Sequence, residues 1–250
     1  MAREGFRPEF FEELARLESG NFWFRSRNAL IVGLLHRHFP HLPSFLEIGC
    51  GTGYVLAGIA SAFPSTRLVG SDAFEAALVL AKRRLPDAEL VPMDARGMAY
   101  DGEFAAAGAF DVLEHIAEDE EVLRQLSRSI APGGGLILSV PQHQWFWSHQ
   151  DDLVCHVRRY SARELRRKVE RAGFEVLDTI SFVSLLFPAL WLSRRLLRRG
   201  HGRDDAFVDL RIGGVLNRVA GVVMAAERLL INAGVRFPVG GSLLLVARKN

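Results

Sequence analysis

Near Cys50 the chain reads Phe45-Leu46-Glu47-Ile48-Gly49-Cys50-Gly51-Thr52-Gly53, a short apolar run followed by three alternating glycines. An apolar run of this length predicts a buried strand, and the glycines predict a turn directly after it. Glycine has no Cβ and tolerates positive φ, so a ligand can lie directly against the main chain of such a turn. The pattern favours a nucleotide-like ligand, although several classes of cofactor bind at turns of this kind.

The composition is that of a globular protein with one sizeable core. The chain has 250 residues, of which 49% are hydrophobic and 24% are charged, and we expect a single domain. A net charge of only +2 argues against a general nucleic-acid-binding function. Residues 1–8 lack the apolar core of a secretory signal, and Cys50 and Cys155 define no disulfide framework. We therefore expect a cytoplasmic location.

Strands and helices are predicted to alternate along the chain. The predicted strands cover residues 44–48, 66–71, 88–92, 104–110, 135–140, 174–181 and 242–248. Helix-like stretches at residues 55–63, 74–84 and 119–130 lie between the early strands. This alternation predicts an α/β fold with a mainly parallel sheet and helices on both faces. Ligands of such sheets bind beyond the carboxyl ends of the strands, where the glycine turn belongs.

Two acidic residues follow later strands. Asp72 ends the second strand, where a carboxylate can accept hydrogen bonds from both hydroxyl groups of a ribose. Asp94 follows the third strand and suits an adenine amino group. The alternatives are a helix N-cap for Asp72 and a surface turn for Asp94. Tyr54 stands where a G-x-G-x-x-G pattern has its third glycine, which disfavours a nicotinamide dinucleotide.

The ordered motifs of the chain resemble those of class I S-adenosylmethionine-dependent methyltransferases. They are residues 47–53, Asp72, Asp94, FDVLEHI at residues 110–116 and PGGGLIL at residues 132–138. The resemblance implies a Rossmann-like sheet of seven strands with an antiparallel last strand, and S-adenosylmethionine as the cofactor. Ala105 departs from the family pattern, which often has Asp there. It lies at the remote end of the fourth strand, so cofactor binding should survive.

The resemblance also implies cofactor-binding roles by position. It places Glu47, Gly49, Cys50, Gly51 and Gly53 near the methionine moiety, Asp72 and Ala73 at the ribose, Asp94 and Ala95 beside adenine, and Phe110, Asp111 and Val112 along the methionine side. The flanking segments at residues 18–27, 145–151 and 156–161 resemble methyltransferases of glycan or lipid-linked metabolism. The first of them is expected to form a helical lid, with Arg25 or Arg27 available to the methionine carboxylate. Anchoring of its aromatic residues to the core is the alternative.

Methyl transfer from a sulfonium is an in-line displacement that depends on alignment and on the exclusion of water. A hydroxyl acceptor also needs a base, and histidine suits neutral pH. We expect His115 or His149 in this role, with His143 and His156 as weaker candidates and a structural role as the alternative for each. No metal site is expected, because Glu114 and His115 are adjacent and would diverge on a helix.

Residues 179–193 carry no charge and precede four arginines, Arg194, Arg195, Arg198 and Arg199. Pro188 interrupts this run, which is shorter than the roughly 20 residues that span a bilayer. It resembles an element that lies in a membrane interface or covers a greasy acceptor with an anionic head group. Packing on the sheet is the alternative. A second helix over residues 212–231, apolar at Val215, Val219 and Val222, could roof the acceptor pocket or form a dimer contact.

The sequence therefore predicts one methyltransferase domain over residues 1–250. It comprises a helical lid at residues 1–43, a sheet core at residues 44–181 and 237–250, and a helical insertion at residues 182–236. The predicted reaction is O-methylation of a small or lipid- or glycan-linked metabolite. The alternatives are an NAD(P)-dependent oxidoreductase and a non-catalytic cofactor-binding regulatory protein. Peripheral contact with the inner face of a membrane and a homodimer are left open.

Overall fold

Seven strands form a single sheet in the computed structural model, which describes residues 10–197, 207 and 210–250. The strands are β1 (Ser44–Ile48), β2 (Arg67–Asp72), β3 (Glu89–Pro92), β4 (Phe104–Phe110), β5 (Ile130–Pro141), β6 (Phe174–Phe182) and β7 (Ser242–Lys249). Their order is β3-β2-β1-β4-β5-β7-β6. β7 runs antiparallel to β5 and β6, and the other neighbouring pairs are parallel. The predicted fold class is confirmed.

Helices precede the first strand and connect later ones. Within the described residues they are α1 (Phe11–Glu18), α2 (Phe22–His38), α3 (Tyr54–Ala62), α4 (Glu75–Arg84), α5 (Asp119–Ser129), α6 (His149–Leu153), α7 (Ala162–Arg171), α8 (Phe187–Leu197) and α9 (Gly214–Asn232). Asn21 caps α2 by accepting a hydrogen bond from the Trp23 backbone N–H at 2.8 Å. The lid predicted for residues 1–43 therefore consists of α1 and α2 where the structure describes it.

The hydrophobic core has two layers because both faces of the sheet are covered. Successive side chains of a strand point to opposite faces, so Phe45 packs in one layer and Leu46 in the other, and both are fully buried. The first layer includes Leu34 of α2 and Ile59 of α3. The second includes Leu126 of α5 together with residues of α7. Burial on both sides explains why β1 reads as a nearly continuous apolar run.

β1 and β4 are neighbours in the sheet. From β1 the chain continues to β2 and β3 on one side, and from β4 it continues to β5 on the other, so the strand order reverses between them. The carboxyl ends of parallel strands at such a point leave a crevice between the connections that follow them. The glycine turn comes directly after β1 and therefore lies at this crevice.

α9 packs against α2 through a face that the sequence did not indicate. Ala220, Met224 and Ile231 are its buried apolar residues, whereas Val215 and Val222 are 78% and 71% exposed. The valine face predicted to roof a pocket thus points to solvent. None of the helices in the described part of the chain has the length and apolarity required to cross a membrane. Arg198 and Arg199 of the predicted basic segment lie outside the described residues.

Candidate functional site

A cavity of about 480 Å³ lies at the carboxyl ends of β1, β2 and β4. Its volume is in the usual range for sites that bind small molecules. Glu47, Asp72 and Phe110 line it from the strand ends, and Phe11 and Trp23 line it from α1 and α2. The two lid helices therefore form part of the wall of the cavity.

The glycine turn forms the floor of the cavity with main-chain atoms. Gly49, Gly51 and Gly53 all have positive φ, at 61°, 53° and 73°, a region in which residues with a Cβ are strained. A Cβ on Gly49 would lie only 2.4 Å from a methyl carbon of Val112. Gly49 and Gly51 line the cavity, whereas Gly53 caps α3 and packs on Ala81 outside it. Because Gly49 and Gly51 carry no side chain, a ligand in the cavity can approach the main chain of the turn directly.

Asp72 fixes the end of β2 to the glycine turn. Its Oδ2 accepts a hydrogen bond from the Gly51 N–H, and its Oδ1 accepts one from the Phe74 N–H, both at 2.9 Å. Burial raises the pKa of Asp72, and these backbone hydrogen bonds oppose that rise. A carboxylate has about four acceptor positions, so Asp72 retains capacity to accept a hydrogen bond from a ribose hydroxyl. The N-cap residue of α4 is Phe74, so the N-cap alternative for Asp72 was wrong.

Asp94 and Ala95 line the outer part of the same cavity. The Asp94 side chain is 52% exposed and pairs with Arg96, whose Nη2 donates to Oδ2 at 2.7 Å. The hydrogen bonds from Arg96 lower the pKa of Asp94. Asp94 therefore lies in an exposed turn, as the alternative had it, and also forms part of the cavity wall.

Arg27 is buried between the lid and the strand ends. It forms an ion pair with Asp111, and its guanidinium carbon lies 4.4 Å from the centre of the Trp23 ring. Burial lowers the pKa of Arg27 to about 10, while the charges of Glu18, Glu47 and other carboxylates act to raise it. The guanidinium of Arg27 is already paired with Asp111. Arg27 is therefore placed as the counterion of the acidic residues at the strand ends.

Glu47 has the property expected of a residue that receives a cationic ligand group. It is 2% exposed and lines the cavity, and its Oε2 has no hydrogen-bond partner among the described residues. Burial raises the pKa of Glu47 well above its usual value. A buried carboxylate oxygen without a partner is costly, and the ammonium group of S-adenosylmethionine would satisfy it. Together with the glycine floor and Asp72, Glu47 makes the cavity fit this cofactor.

We predict that Glu47→Gln flattens the pH dependence of stability in the ligand-free protein. A carboxyl whose folded pKa is raised stabilises the fold below its unfolded pKa, near 4.5, and this contribution is lost as pH rises toward the folded pKa. Relative to wild type, the variant should therefore gain stability steadily between pH 5 and pH 8. Urea unfolding at several pH values measures the difference. Parallel curves for the two proteins would contradict the expectation.

At the other end of the cavity Glu114, His115 and His156 form a group that we call the histidine cluster. All three residues line the cavity, and one ligand atom from each lies within 4.8 Å of the others. Glu114 and His115 belong to a short 3-10 turn after β4. Burial lowers the pKa of His115 to about 3, helped by the charge of His156. His115 is therefore a neutral imidazole at neutral pH.

Asp151 orients His156 within the histidine cluster. Its Oδ1 lies 2.8 Å from His156 Nδ1 and accepts a hydrogen bond from Arg159 Nε at 2.7 Å. Burial acts to raise the pKa of Asp151, but the hydrogen bond to His156 and the charge of Arg159 hold it well below its usual range. His156 Nε2 points towards Glu114 Oε1, at 3.8 Å.

The other histidine proposed as a base, His149, does not line the cavity. Its side chain is 64% exposed and lies 4.0 Å from Asp152. Of the three aromatic residues next to it in sequence, only Phe146 lines the cavity, whereas Trp145 is 59% exposed. His156, which the sequence ranked below His149, is therefore the better placed of the two for the role of a base. No local pattern could favour His156, because Glu114 and His115 are distant from it along the chain.

A buried network that the sequence did not indicate ties the lid to the glycine turn. Thr52 Oγ1 donates a hydrogen bond to Glu18 Oε2 at 2.6 Å, and Arg84 Nη1 donates to the same oxygen at 2.9 Å. Burial raises the pKa of Glu18, and these two partners oppose the rise. Glu18 ends α1, Thr52 belongs to the turn and Arg84 ends α4. Three separate segments are thereby fixed around the cavity.

Comparison with known proteins matches the sequence both to a family and to individual relatives. A family model described as a methyltransferase domain matches residues 12–179. A probable S-adenosylmethionine-dependent methyltransferase of Mycolicibacterium smegmatis is 30% identical over 201 residues. That alignment covers 79% of this chain and 70% of the relative. The family match includes the glycine turn and the strands that form the cavity.

Solved structures share the fold at low sequence identity. A Thermotoga maritima protein, described as a SAM-dependent methyltransferase and possible histamine N-methyltransferase, aligns with a TM-score of 0.61 at 13% identity. The alignment covers 97% of this chain and 98% of that one. Phosphoethanolamine N-methyltransferase 2 of Haemonchus contortus, in complex with phosphomonomethylethanolamine and S-adenosylhomocysteine, aligns with a TM-score of 0.59 at 15% identity. There the alignment covers 89% of this chain and 52% of the other.

Proposed function

The chain belongs to the class I S-adenosylmethionine-dependent methyltransferases, and from this premise we propose that it methylates an oxygen atom of a small or lipid-linked metabolite. Its cofactor, when bound, supplies an activated methyl group as a sulfonium. One observation carries the proposal: the same cavity is lined both by residues that we expect to bind the cofactor and by the histidine cluster. Membership of this family removes the support for the oxidoreductase alternative.

The cofactor half of the cavity holds and aligns its ligand through groups already in place. Glu47 offers an unsatisfied carboxylate oxygen, Asp72 retains acceptor positions, and Gly49 and Gly51 allow close approach of the main chain. The lid network around Glu18 holds α1 over this half. Alignment and exclusion of water are the main contributions that a protein makes to a displacement of this type.

The acceptor half favours oxygen chemistry because it contains imidazole and carboxyl groups that can take up a proton from an attacking hydroxyl or hold that hydroxyl by a hydrogen bond. A hydroxyl acceptor loses its proton as it attacks the methyl carbon, and a neighbouring general base makes this step easier. The histidine cluster supplies a carboxylate and two imidazoles at the cavity wall. Asp151 fixes the orientation of one of them at 2.8 Å.

A lipid-linked acceptor is supported by the position of α8. Leu190 and Arg194 of this helix line the cavity, while Leu192 is 50% exposed on the outside. Arg159 also lines the cavity, and both arginines lie against the ring of Phe146. An apolar helix that borders both the cavity and solvent suits a greasy chain, and the two arginines suit an anionic group next to it.

We predict that the purified protein, incubated with a metabolite extract, transfers label from methyl-labelled S-adenosylmethionine into a hydroxyl-bearing product. His115→Gln and His156→Gln should each lower this turnover about 10²- to 10⁴-fold. Neither variant should change cofactor affinity in calorimetry, because both residues lie at the acceptor end. Partition of the labelled product between chloroform and water separates lipid-linked from small water-soluble acceptors, and mass spectrometry locates the methyl group.

His149→Gln is the matched control, because it removes a histidine of the same segment that lies outside the cavity. Its turnover should equal that of wild type. Transfer of the label to a nitrogen atom would refute the proposal of an oxygen acceptor. Absence of incorporation into any extract, with intact cofactor binding, would favour the non-catalytic alternative.

A further inference from the structure

The histidine cluster combines two imidazoles and a carboxylate at close range, and we propose that Glu114, His115 and His156 bind one first-row divalent transition-metal ion such as Zn²⁺ or Mn²⁺. Their ligand atoms lie within 4.8 Å of one another, and Glu114 Oε1 is 3.8 Å from His156 Nε2. Two ligands of one ion, with bonds of about 2.1 Å, lie at most about 4.2 Å apart. Small side-chain rotations therefore suffice to close the cluster on a cation.

Glu114 gives the strongest reason for a cation at this place. It is fully buried, and neither of its carboxylate oxygens has a hydrogen-bond partner among the described residues. Buried carboxylates are normally hydrogen-bonded, paired with a cation or bound to a metal. Arg27 of the lid forms its ion pair with Asp111 and not with Glu114. A metal ion would supply the partner that Glu114 lacks.

The surroundings of both imidazoles match those of metal-ligating histidines. Such histidines donate the second ring N–H to a carboxylate or a backbone carbonyl, which fixes the ring and its tautomer. His156 Nδ1 has this partner in Asp151 at 2.8 Å, and Arg159 holds Asp151 in turn. His115 forms hydrogen bonds with the backbone at Val154 and Cys155. Each ring thus has an outer partner and contributes a nitrogen to the cluster.

A purely hydrogen-bonded cluster explains the geometry less well. At 3.8 Å, Glu114 Oε1 and His156 Nε2 are too far apart for a hydrogen bond. The separation is, however, within the span of two ligands of one ion. The sequence argued against a metal because Glu114 and His115 would diverge on an α-helix. The 3-10 turn and the arrival of His156 from a distant loop remove that objection.

The ligand types indicate which ions the site should prefer. Imidazole suits Zn²⁺ and other transition metals, whereas Mg²⁺ and Ca²⁺ prefer oxygen ligands throughout. Three protein ligands leave a coordination position open towards the cavity, as in metal sites that act on a bound molecule. A hydroxyl bound there would have a lowered pKa. In this use the ion, and not an imidazole that it occupies, activates the acceptor hydroxyl. The use rests on the proposed oxygen acceptor, whereas cation binding does not.

Calorimetry on the full chain, freed of metal with a chelator and without cofactor, tests the site. We expect one Zn²⁺ or Mn²⁺ ion to bind per chain and Mg²⁺ to bind more weakly. Glu114→Gln and His156→Gln should each weaken binding at least about 10-fold, since a ligand should matter at least as much as an outer partner. The control His41→Ala removes an exposed histidine before β1 and should bind as wild type does.

Equal affinity in wild type and in both cluster variants, or no saturable binding of either ion, would overturn the proposal. X-ray absorption of the zinc-loaded wild type is independent of how the variants fold. It should show two imidazole nitrogens and an oxygen ligand, and a sulfur-ligated or imidazole-free ion would refute the assignment. Methyl transfer to oxygen without cation binding would refute this inference alone, and cation binding without such transfer would refute only the proposed acceptor.

Discussion

Gly49→Ala is expected to destabilise the fold by about 2–5 kcal/mol, from the cost of a left-handed backbone and of overpacking, and to weaken S-adenosylmethionine binding by about 100-fold or more. Gly49 has φ of 61°, which an L residue adopts only with strain. The new methyl group would also lie 2.4 Å from a methyl carbon of Val112. Val112 lines the cavity, so relief of this collision must distort the part of the wall that we propose to contact the cofactor. Urea unfolding and calorimetry measure the two effects.

Two further variants separate the backbone cost from the collision. Gly102 has a similar φ of 65°, but nothing lies within 4 Å of the position of its Cβ. Gly102→Ala should therefore cost only about 1–2 kcal/mol and leave cofactor binding unchanged. Adding Val112→Ala to Gly49→Ala should restore part of the lost affinity. If Gly49→Ala behaves as Gly102→Ala does, the close approach to Val112 has no role in the site.

The fold could be predicted from the sequence because its signals are local. The strand β1 reads as an apolar run since both of its faces are buried, and the glycines after it mark a turn that tolerates no Cβ. The same local signals located Asp72 at the end of β2. Even the antiparallel last strand followed from a family resemblance that rests on these motifs.

The acceptor half could not be predicted because its residues converge from distant segments. His156 reaches Glu114 and His115 only through the loop that follows β5, and its orientation depends on the buried Asp151 and Arg159. His149 belongs to the same segment and has the same side chain, yet it points to solvent. Tertiary packing, rather than the pattern of residues, decides which histidine enters the cavity.

The pattern of residues also failed to identify which face of α9 is buried in the core. Apolar periodicity predicted that Val215, Val219 and Val222 face inwards, but the helix packs on α2 through Ala220 and Met224. Periodicity locates apolar positions on a helix and does not choose between two apolar faces. In α9 both faces are apolar, so only the neighbouring helix determines which one is buried.

Arg27→Met is expected to destabilise the ligand-free protein by about 3–5 kcal/mol, the usual cost of removing one partner of a buried ion pair. The variant keeps an apolar stem beside Trp23 but leaves Asp111 without its counterion. The same guanidinium also balances the buried carboxylates of Glu18 and Glu47. Urea unfolding at neutral pH measures the loss, and cofactor binding should fall with it because these carboxylates surround the cavity.

Arg25→Met is the matched control, because Arg25 lies on the same helix and is exposed. It should change stability by no more than about 0.5 kcal/mol. Asp111→Asn in the Arg27→Met background should recover part of the loss, since a buried pair replaced as a whole costs far less than a broken one. Equal effects of the Arg25 and Arg27 variants would contradict the assignment of Arg27 as the buried counterion.

The sign of the pH dependence distinguishes loss of charge from loss of packing in Arg27→Met. Without the guanidinium, the folded pKa of Glu18 rises further above its unfolded value near 4.5. Wild type stops losing stability once the pH passes the folded pKa of its Glu18, whereas the variant keeps the proton to higher pH and goes on losing stability, so the charge penalty grows with pH. We expect the deficit relative to wild type to be larger at pH 8 than at pH 5. A deficit independent of pH would mean that packing against Trp23, and not charge, is what Arg27 contributes.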